Sequence, residues 1–356
     1  MDGVLNRVSE DHTDDERRRE RNVEIDRFAE RFLPGENQDL LKEMMVTVCR
    51  LARDEADRGD VKLLNRALAE LRYAFKVFAP YREIRKISIF GSSRTPESAP
   101  DYQVAVAFAR RMRESGWMVI TGAGDGIMKA GHGGAGREAS FGVAIRLPFE
   151  QKTNVIIAQD AKLVNFNYFF TRKLMFMKEA SAVALFPGGF GTLDEGFEAI
   201  TLVQTGKAPL VPIVMLERPG GTYWQHWRAY VRAELLGAGM IDPEDMSLFR
   251  ITDDVEVAVR EVLQFYRVYH SMRYVGEDLV LRLRRPIGAQ TLARINDEFR
   301  HLVTSGQIEQ VSVLPEENGE YADLPRLKLR FNRKSFGALR QCVDVINQDG
   351  RSAAEG

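Results

Sequence analysis

Between Lys86 and Leu216 the chain alternates short apolar runs with segments of helical periodicity, and nothing else in the sequence constrains the fold as much. Lys86 to Gly91, Trp117 to Gly122, Gly142 to Leu147, Ala182 to Phe186 and Leu210 to Leu216 read as buried strands. Tyr102 to Ser115 and Gly126 to Ala139 carry apolar residues at helical spacing. Such βαβα alternation predicts an α/β fold, a Rossmann-like, doubly wound parallel sheet. Ligands of these sheets sit outside the carboxyl ends of the strands, near the point where the strand order reverses.

Three of those strand ends are rich in glycine or serine. They read Gly91-Ser92-Ser93-Arg94, Thr121-Gly122-Ala123-Gly124-Asp125-Gly126 and Pro187-Gly188-Gly189-Phe190-Gly191-Thr192. None completes the dinucleotide fingerprint, because Ile127 and Asp194 stand where its last glycine belongs, and no Walker loop occurs. Three such turns on one sheet converge on one crevice of nucleotide size. The third opens a helix, whose N-terminal amides and dipole attract phosphate. Thr192-Leu193-Asp194-Glu195 also has the form of a capping box, so Glu195 has two readings, as a cap or as a site carboxylate. Arg172-Lys173 lies among Phe169, Phe170, Leu174, Met175 and Met177, which points at least one of the two charges toward a pocket or an interface.

The flanks have a different texture. Residues 1–20 are nearly devoid of apolar content and read as a disordered charged tail. Residues 21–83 read as a helical extension with two apolar stripes, one from Leu40 to Leu51 and one from Leu64 to Phe78, with its turn at Gly59 or Asp60. The sheet domain takes 84–270. Residues 271–347 read as a small α+β appendage, with strands at Asp278 to Arg285, Ile308 to Leu314 and Leu324 to Phe331 and helices at Ala289 to Thr304 and Ser335 to Asn347, and 348–356 as a tail. Its arginines 282, 284, 285, 326, 330, 333 and 340 fit a solvated sheet face or an anionic effector.

At 356 residues and 44% hydrophobic content the chain can bury a sizeable core, and a net charge of −1 offers no argument for nucleic acid or membrane partners. Two distant cysteines, Cys49 and Cys342, fit a reducing compartment, and with no run of membrane-spanning length a cytoplasmic protein is expected. None of the five histidines stands in a metal-ligand pattern and no lysine has the setting of a Schiff-base residue, so neither metal nor cofactor is expected.

Gly91-Ser92-Ser93, the Thr121 to Met128 turn, Arg172-Lys173 and the complete P-G-G-x-G-T-x-x-E of Pro187 to Glu195 together resemble the Lonely Guy (LOG) family of phosphoribohydrolases, once labelled lysine decarboxylases. The resemblance covers about residues 84 to 265. It implies a Rossmann-like sheet, a homodimer or larger homo-oligomer, and hydrolysis of a nucleoside 5′-monophosphate to free base and ribose 5-phosphate. By the same resemblance Arg172 and Glu195 are the catalytic pair. Gly188, Gly189, Gly191 and Thr192 bind phosphate, and Ser92 and Ser93 lie against the nucleotide. Gly91, Gly122, Gly124, Gly126, Met128, Lys173 and Asp194 complete the implied substrate site. Phe169-Phe170-Thr171 replaces the M-H-E of plant-type members and Gly122-Ala123-Gly124 their G-G-G, changes that fall where base and ribose would lie. Long bacterial relatives that cleave ordinary nucleotides are the nearer likeness, ahead of cytokinin activation. The rival reading is a carrier or sensor of a nucleotide or pterin cofactor on the same fold.

Overall fold

The structure is a computed structural model that describes residues 2–146 and 153–350. It divides into two compact units between Ala69 and Glu70.

The first unit is helical: α1 (Asp2–Phe32), α2 (Gln38–Arg53) and the start of α3 (Arg58–Phe78). The disordered tail expected through residue 20 is instead part of α1, since Glu and Arg are good helix formers even where nothing packs on them. The turn before α3 is built by Asp57, two residues ahead of the expected Gly59, and its Oδ1 accepts the Gly59 and Asp60 amides. The stripe on α2 is real but unburied, with Leu40, Leu41, Met44 and Val48 exposed within the unit.

In the second unit β1 (Lys86–Phe90), α4 (Pro100–Glu114), β2 (Met118–Thr121), α5 (Ile127–Ala135), β3 (Ser140–Ile145), β4 (Leu163–Phe166), α6 (Phe169–Glu179), β5 (Ala182–Leu185), α7 (Phe190–Gln204), β6 (Ile213–Leu216), α8 (Tyr223–Tyr230), β7 (Phe249–Thr252) and α9 (Val255–Phe265) follow in order. The seven strands pair in parallel as β4-β3-β2-β1-β5-β6-β7. β1, β2, β5 and β6 are buried along their whole length, as strands covered by helices on both faces must be. The edge strands β4 and β7 escaped the sequence reading because each is four residues long and at least partly exposed. The expected strand from Leu210 begins at Ile213, after Pro212, which has no amide to give to a ladder. Leu147, the predicted end of the third strand, lies outside the described residues.

From β1 the chain builds outward to β4, then crosses back to place β5 on the other side of β1. The order therefore reverses between β1 and β5, and the crevice at their carboxyl ends is the switch point.

The C-terminal part comprises β8 (Tyr269–Val275), β9 (Asp278–Leu283), α10 (Ala289–Glu298), β10 (Glu309–Val311), β11 (Arg326–Leu329) and α11 (Phe336–Gln348), with an antiparallel sheet in the order β10-β11-β9-β8. It is no loose appendage. Phe336, Leu339, Val343 and Ile346 of α11 belong to the same core as the parallel sheet. Buried Asn347 accepts the Val268 and Tyr269 amides and donates to the Phe265 carbonyl, latching α11 to the chain where the two sheets meet.

Three of the C-terminal arginines, Arg282, Arg326 and Arg340, fit neither role foreseen for them. Arg282 and Arg326 are buried and converge on the buried Glu317 at 2.7 and 2.9 Å, and Arg340 bridges Glu261 and Asp344 at 2.5 and 3.0 Å. Alternation along β9 and β11 placed Arg282 and Arg326 inward, and Arg340 lies on the buried face of α11; each guanidinium there requires a carboxylate. Arg285 meets Asp349 at 2.5 Å; that aspartate also accepts from Thr291 and Gly288, so the chain stays packed past residue 348, while 351–356 lie outside the described residues.

Candidate functional site

The three glycine turns meet at the switch point. The Ser92 amide donates to the Pro187 carbonyl and the Ile127 amide to the Ser92 carbonyl, so the loop after β1 is tied to the other two. Gly126 allows this closeness: it sits at φ 61°, and a Cβ there would fall 2.2 Å from the Ser92 carbonyl oxygen.

Around these turns lies a cavity of about 730 Å³. Of the residues expected at the site, Gly91, Ser92, Ser93, Gly122, Met128, Arg172, Gly189, Gly191, Thr192, Asp194 and Glu195 line it. Gly124, Gly126, Lys173 and Gly188 do not. Gly124 lies beneath, its carbonyl accepting from buried Asn154. Gly188 packs on Thr192, whose Oγ1 would lie 2.1 Å from an added Cβ. Lys173 is turned to Asp194 and Glu198, at 2.8 and 2.6 Å.

α7 begins at Phe190 with Gly189 as its N-cap residue. Thr192 is therefore inside the first turn and not before it, which removes the capping-box reading of Glu195. Glu195 lies one turn further, buried, and its carboxylate forms no hydrogen bond or ion pair within 4 Å among the described residues. Burial pushes its pKa up to about 7, against the pull of the Lys173 and Arg172 charges. Arg172 reaches the cavity from α6, its Nε donating to the Val143 carbonyl at 3.0 Å and its guanidinium 5.1 Å from the Phe176 ring centre. Burial lowers its pKa while Glu195 raises it, so the two charges sense each other across the cavity. Gly122 makes room for that side chain, since a Cβ there would lie 2.5 Å from an Arg172 terminal nitrogen. For Lys173 burial opposes the charge, but Asp194 and Glu198 outweigh it and hold the pKa above its ordinary value.

Residues 124–262 match the family described as possible lysine decarboxylase, and the P-G-G-x-G-T-x-x-E turn with its partner arginine falls inside that span. This part of the chain is a LOG-family domain. No curated protein matches the sequence. Among solved structures, the structural-genomics protein TM1055 is similar to the LOG domain and its surroundings at 22% identity and TM-score 0.39, over 51% of this chain and 99% of the other. The molybdenum cofactor carrier protein of Chlamydomonas reinhardtii is similar at 19% identity and TM-score 0.34, over 51% and 98%. DNA processing protein A of Helicobacter pylori is similar at 13% identity and TM-score 0.35, over 51% and 80%.

Several residues that shape the LOG domain's cavity were not foreseen. Phe90, Arg94 and Phe190 line it beside Phe169, which the resemblance had put near base and ribose; of the first three only Arg94, basic and next to a glycine-serine turn, carried a local signal. Glu70 on α3 accepts from the Asn167 amide at 2.9 Å and from the Thr171 hydroxyl at 2.9 Å, anchoring the entry to α6 and the residue just before Arg172. Tyr223 donates to the Gly188 carbonyl at 2.6 Å. Nothing in sequence places a glutamate 101 positions before its partner threonine. Ala123, where the family pattern has glycine, holds a left-handed φ of 64°, with its methyl buried against Ala144 and Ile157. Among the described residues no group of three or more His, Cys, Asp or Glu could hold a metal, and no helix is long and apolar enough to cross a membrane.

Proposed function

We propose that the LOG domain hydrolyses the N-glycosidic bond of a nucleoside 5′-monophosphate, releasing free base and ribose 5-phosphate. The observation that carries this reading is Glu195, a buried carboxylate without an ion-pair partner, held at the switch-point cavity opposite Arg172. A fold gains nothing from burying such a group, whereas hydrolysis needs it. Ionised Glu195 takes a proton from water as the oxygen attacks C1′, and its charge stabilises the oxocarbenium character that grows as the base departs with a proton.

The phosphate is expected at the start of α7. Among the described residues the Phe190 and Gly191 amides have no backbone acceptor, Thr192 adds a hydroxyl, and Ser92, Ser93 and Arg94 face the same cavity. Gly189 and Gly191 have nothing within 4 Å of an added Cβ, so the protein's own packing does not require glycine there; a closely approaching ligand does. Arg172 acts as the second charge, orienting Glu195 or the ribose phosphate. Gly122, Met128 and Phe169 line the part of the cavity left for base and ribose. The working form is a homo-oligomer. Phe169 and Phe190 line the cavity and are exposed, Phe190 to 95%, and α6 continues that apolar surface with exposed Phe170 and Leu174, which a second copy would cover.

The test is release of base from AMP, GMP, IMP, CMP, UMP and an isopentenyladenine ribotide, each followed by chromatography. At least one is cleaved, Glu195→Gln slows it on the order of 10²-fold or more, and the preferred base separates nucleotide breakdown from cytokinin activation. Binding of these nucleotides without base release would make the domain a carrier.

A further inference from the structure

Two cavities adjoin at the other end of the parallel sheet, where β1 and β5 begin. One, of about 680 Å³, is polar; the other, of about 520 Å³, is mostly apolar, and Arg85, Lys178, Ser181 and His270 line both. We infer that together they form a second binding site, for a phosphorylated small molecule with an apolar or aromatic body.

The polar chamber concentrates positive charge. Arg82, Arg85, Lys86, Lys178 and Arg284 line it against the carboxylates of Glu83 and Glu179 alone. Glu179 is paired with Lys178 at 2.7 Å, and Lys86 is held by the Tyr81 and Ile84 carbonyls. Arg82 and Arg284 are exposed and Arg85 is half-buried, and none of the three has a carboxylate within 4 Å among the described residues, so their charges are left to solvent or to an anion in the chamber. Arg85 is fixed in place, its guanidinium 3.5 Å from the centre of the Tyr266 ring and a terminal nitrogen 3.4 Å from the His270 carbonyl. Burial first, and the charge of Arg284 among the other influences, lower its pKa, and burial with the charges of Arg85, Arg284 and Arg282 pushes His270 down to about 4. A cluster of like charges that repel one another is stabilised by an anion with several acceptor oxygens, and guanidinium forks suit phosphate.

The apolar chamber supplies the rest. Leu174, Met177, Leu202, Leu210 and Tyr269 wall it. Tyr269 is buried along that wall and adds its ring to the apolar lining. Both chambers are of the size usual for small-molecule sites. The far end of α6, the helix that carries Arg172, forms part of the wall of both.

Titration calorimetry on the full chain with inorganic triphosphate and with ATP tests the inference. Both bind, ATP the more tightly because its base fills the apolar chamber. Arg82→Glu and Arg284→Ala each weaken ATP about tenfold or more, and Arg172→Ala, in the other cavity, leaves that affinity unchanged. Arg82 is exposed and makes no hydrogen bond through its side chain among the described residues, so its variant keeps the fold, which thermal melting checks. The inference is overturned if neither probe binds at millimolar concentration, if ATP binds no better than triphosphate, or if Arg172→Ala abolishes binding that Arg82→Glu retains.

Discussion

In the proposed reaction Glu195 serves chemistry at the expense of stability. Its pKa stands near 7 against an ordinary 4.5, so the folded protein holds a proton there that the unfolded chain releases. The resulting stabilisation is complete below pH 4.5 and is lost as pH rises through 7. Glu195→Gln, which needs no charge in that setting, should therefore melt higher than wild type at pH 8.5, by on the order of 3 kcal/mol at 1.36 kcal/mol per pH unit, with the gap closing toward pH 4.5. Thermal melts of both proteins at the two pH values check this. The same ionisation governs catalysis with the opposite preference. As a base Glu195 works in its charged form, so kcat/KM should fall about tenfold per unit below pH 7 and level off above it; a flat profile from pH 5 to 8 would exclude it as the base.

Elements decide which residues are available to do this. α7 starts at Phe190, three positions ahead of where a capping box at Thr192 would start it, and that offset leaves Glu195 without a backbone amide to cap. α6 turns Arg172 into the cavity and Lys173 toward α7, because neighbours on a helix face different directions. In the antiparallel sheet the controlling group is Glu317, which joins Arg282 on β9 to Arg326 on β11. Burial works against its charge, but the hydrogen bonds from both arginines prevail and hold its pKa near 2. A depressed pKa stabilises above the ordinary 4.5, and that contribution is lost as pH falls through 2. Glu317→Ala strands two buried guanidinium groups and should cost about 3–5 kcal/mol, read as a lower denaturation midpoint. A loss under 1 kcal/mol would show that the cluster is not desolvated.

At the scale of the whole molecule, the strand order sets where function lies. Reversal between β1 and β5 opens a crevice at one end of the sheet, and β1 starts at the other end beside the cationic cavity. Both ends share α6, and the C-terminal part shares the core of the parallel sheet. The apolar surface of Phe169, Phe170 and Leu174 makes assembly testable at this scale. Phe170→Glu combined with Leu174→Glu should shift the protein to monomer by light scattering, since burying two like-signed carboxylates in an apolar contact is unfavourable. An unchanged mass would place the interface elsewhere.

The sequence by itself determined the α/β alternation and the glycine turns at three strand ends, because periodicity and glycine content are local properties of a chain; the pairing of Arg172 with Glu195 came from the family resemblance. It did not reach β4, β7 and β8, which are edge strands, the first two only four residues long. It could not tell a cap from a site carboxylate at Glu195, since the pattern fits both until the first residue of α7 is known. The fate of the C-terminal arginines was equally out of reach, because alternation along a strand gives two faces without saying which one is covered. Nor could local pattern bring Glu70 to Thr171, or Arg85 and Arg284 to one cavity. Those are contacts between residues far apart in the chain, and packing against the completed sheets alone decides them.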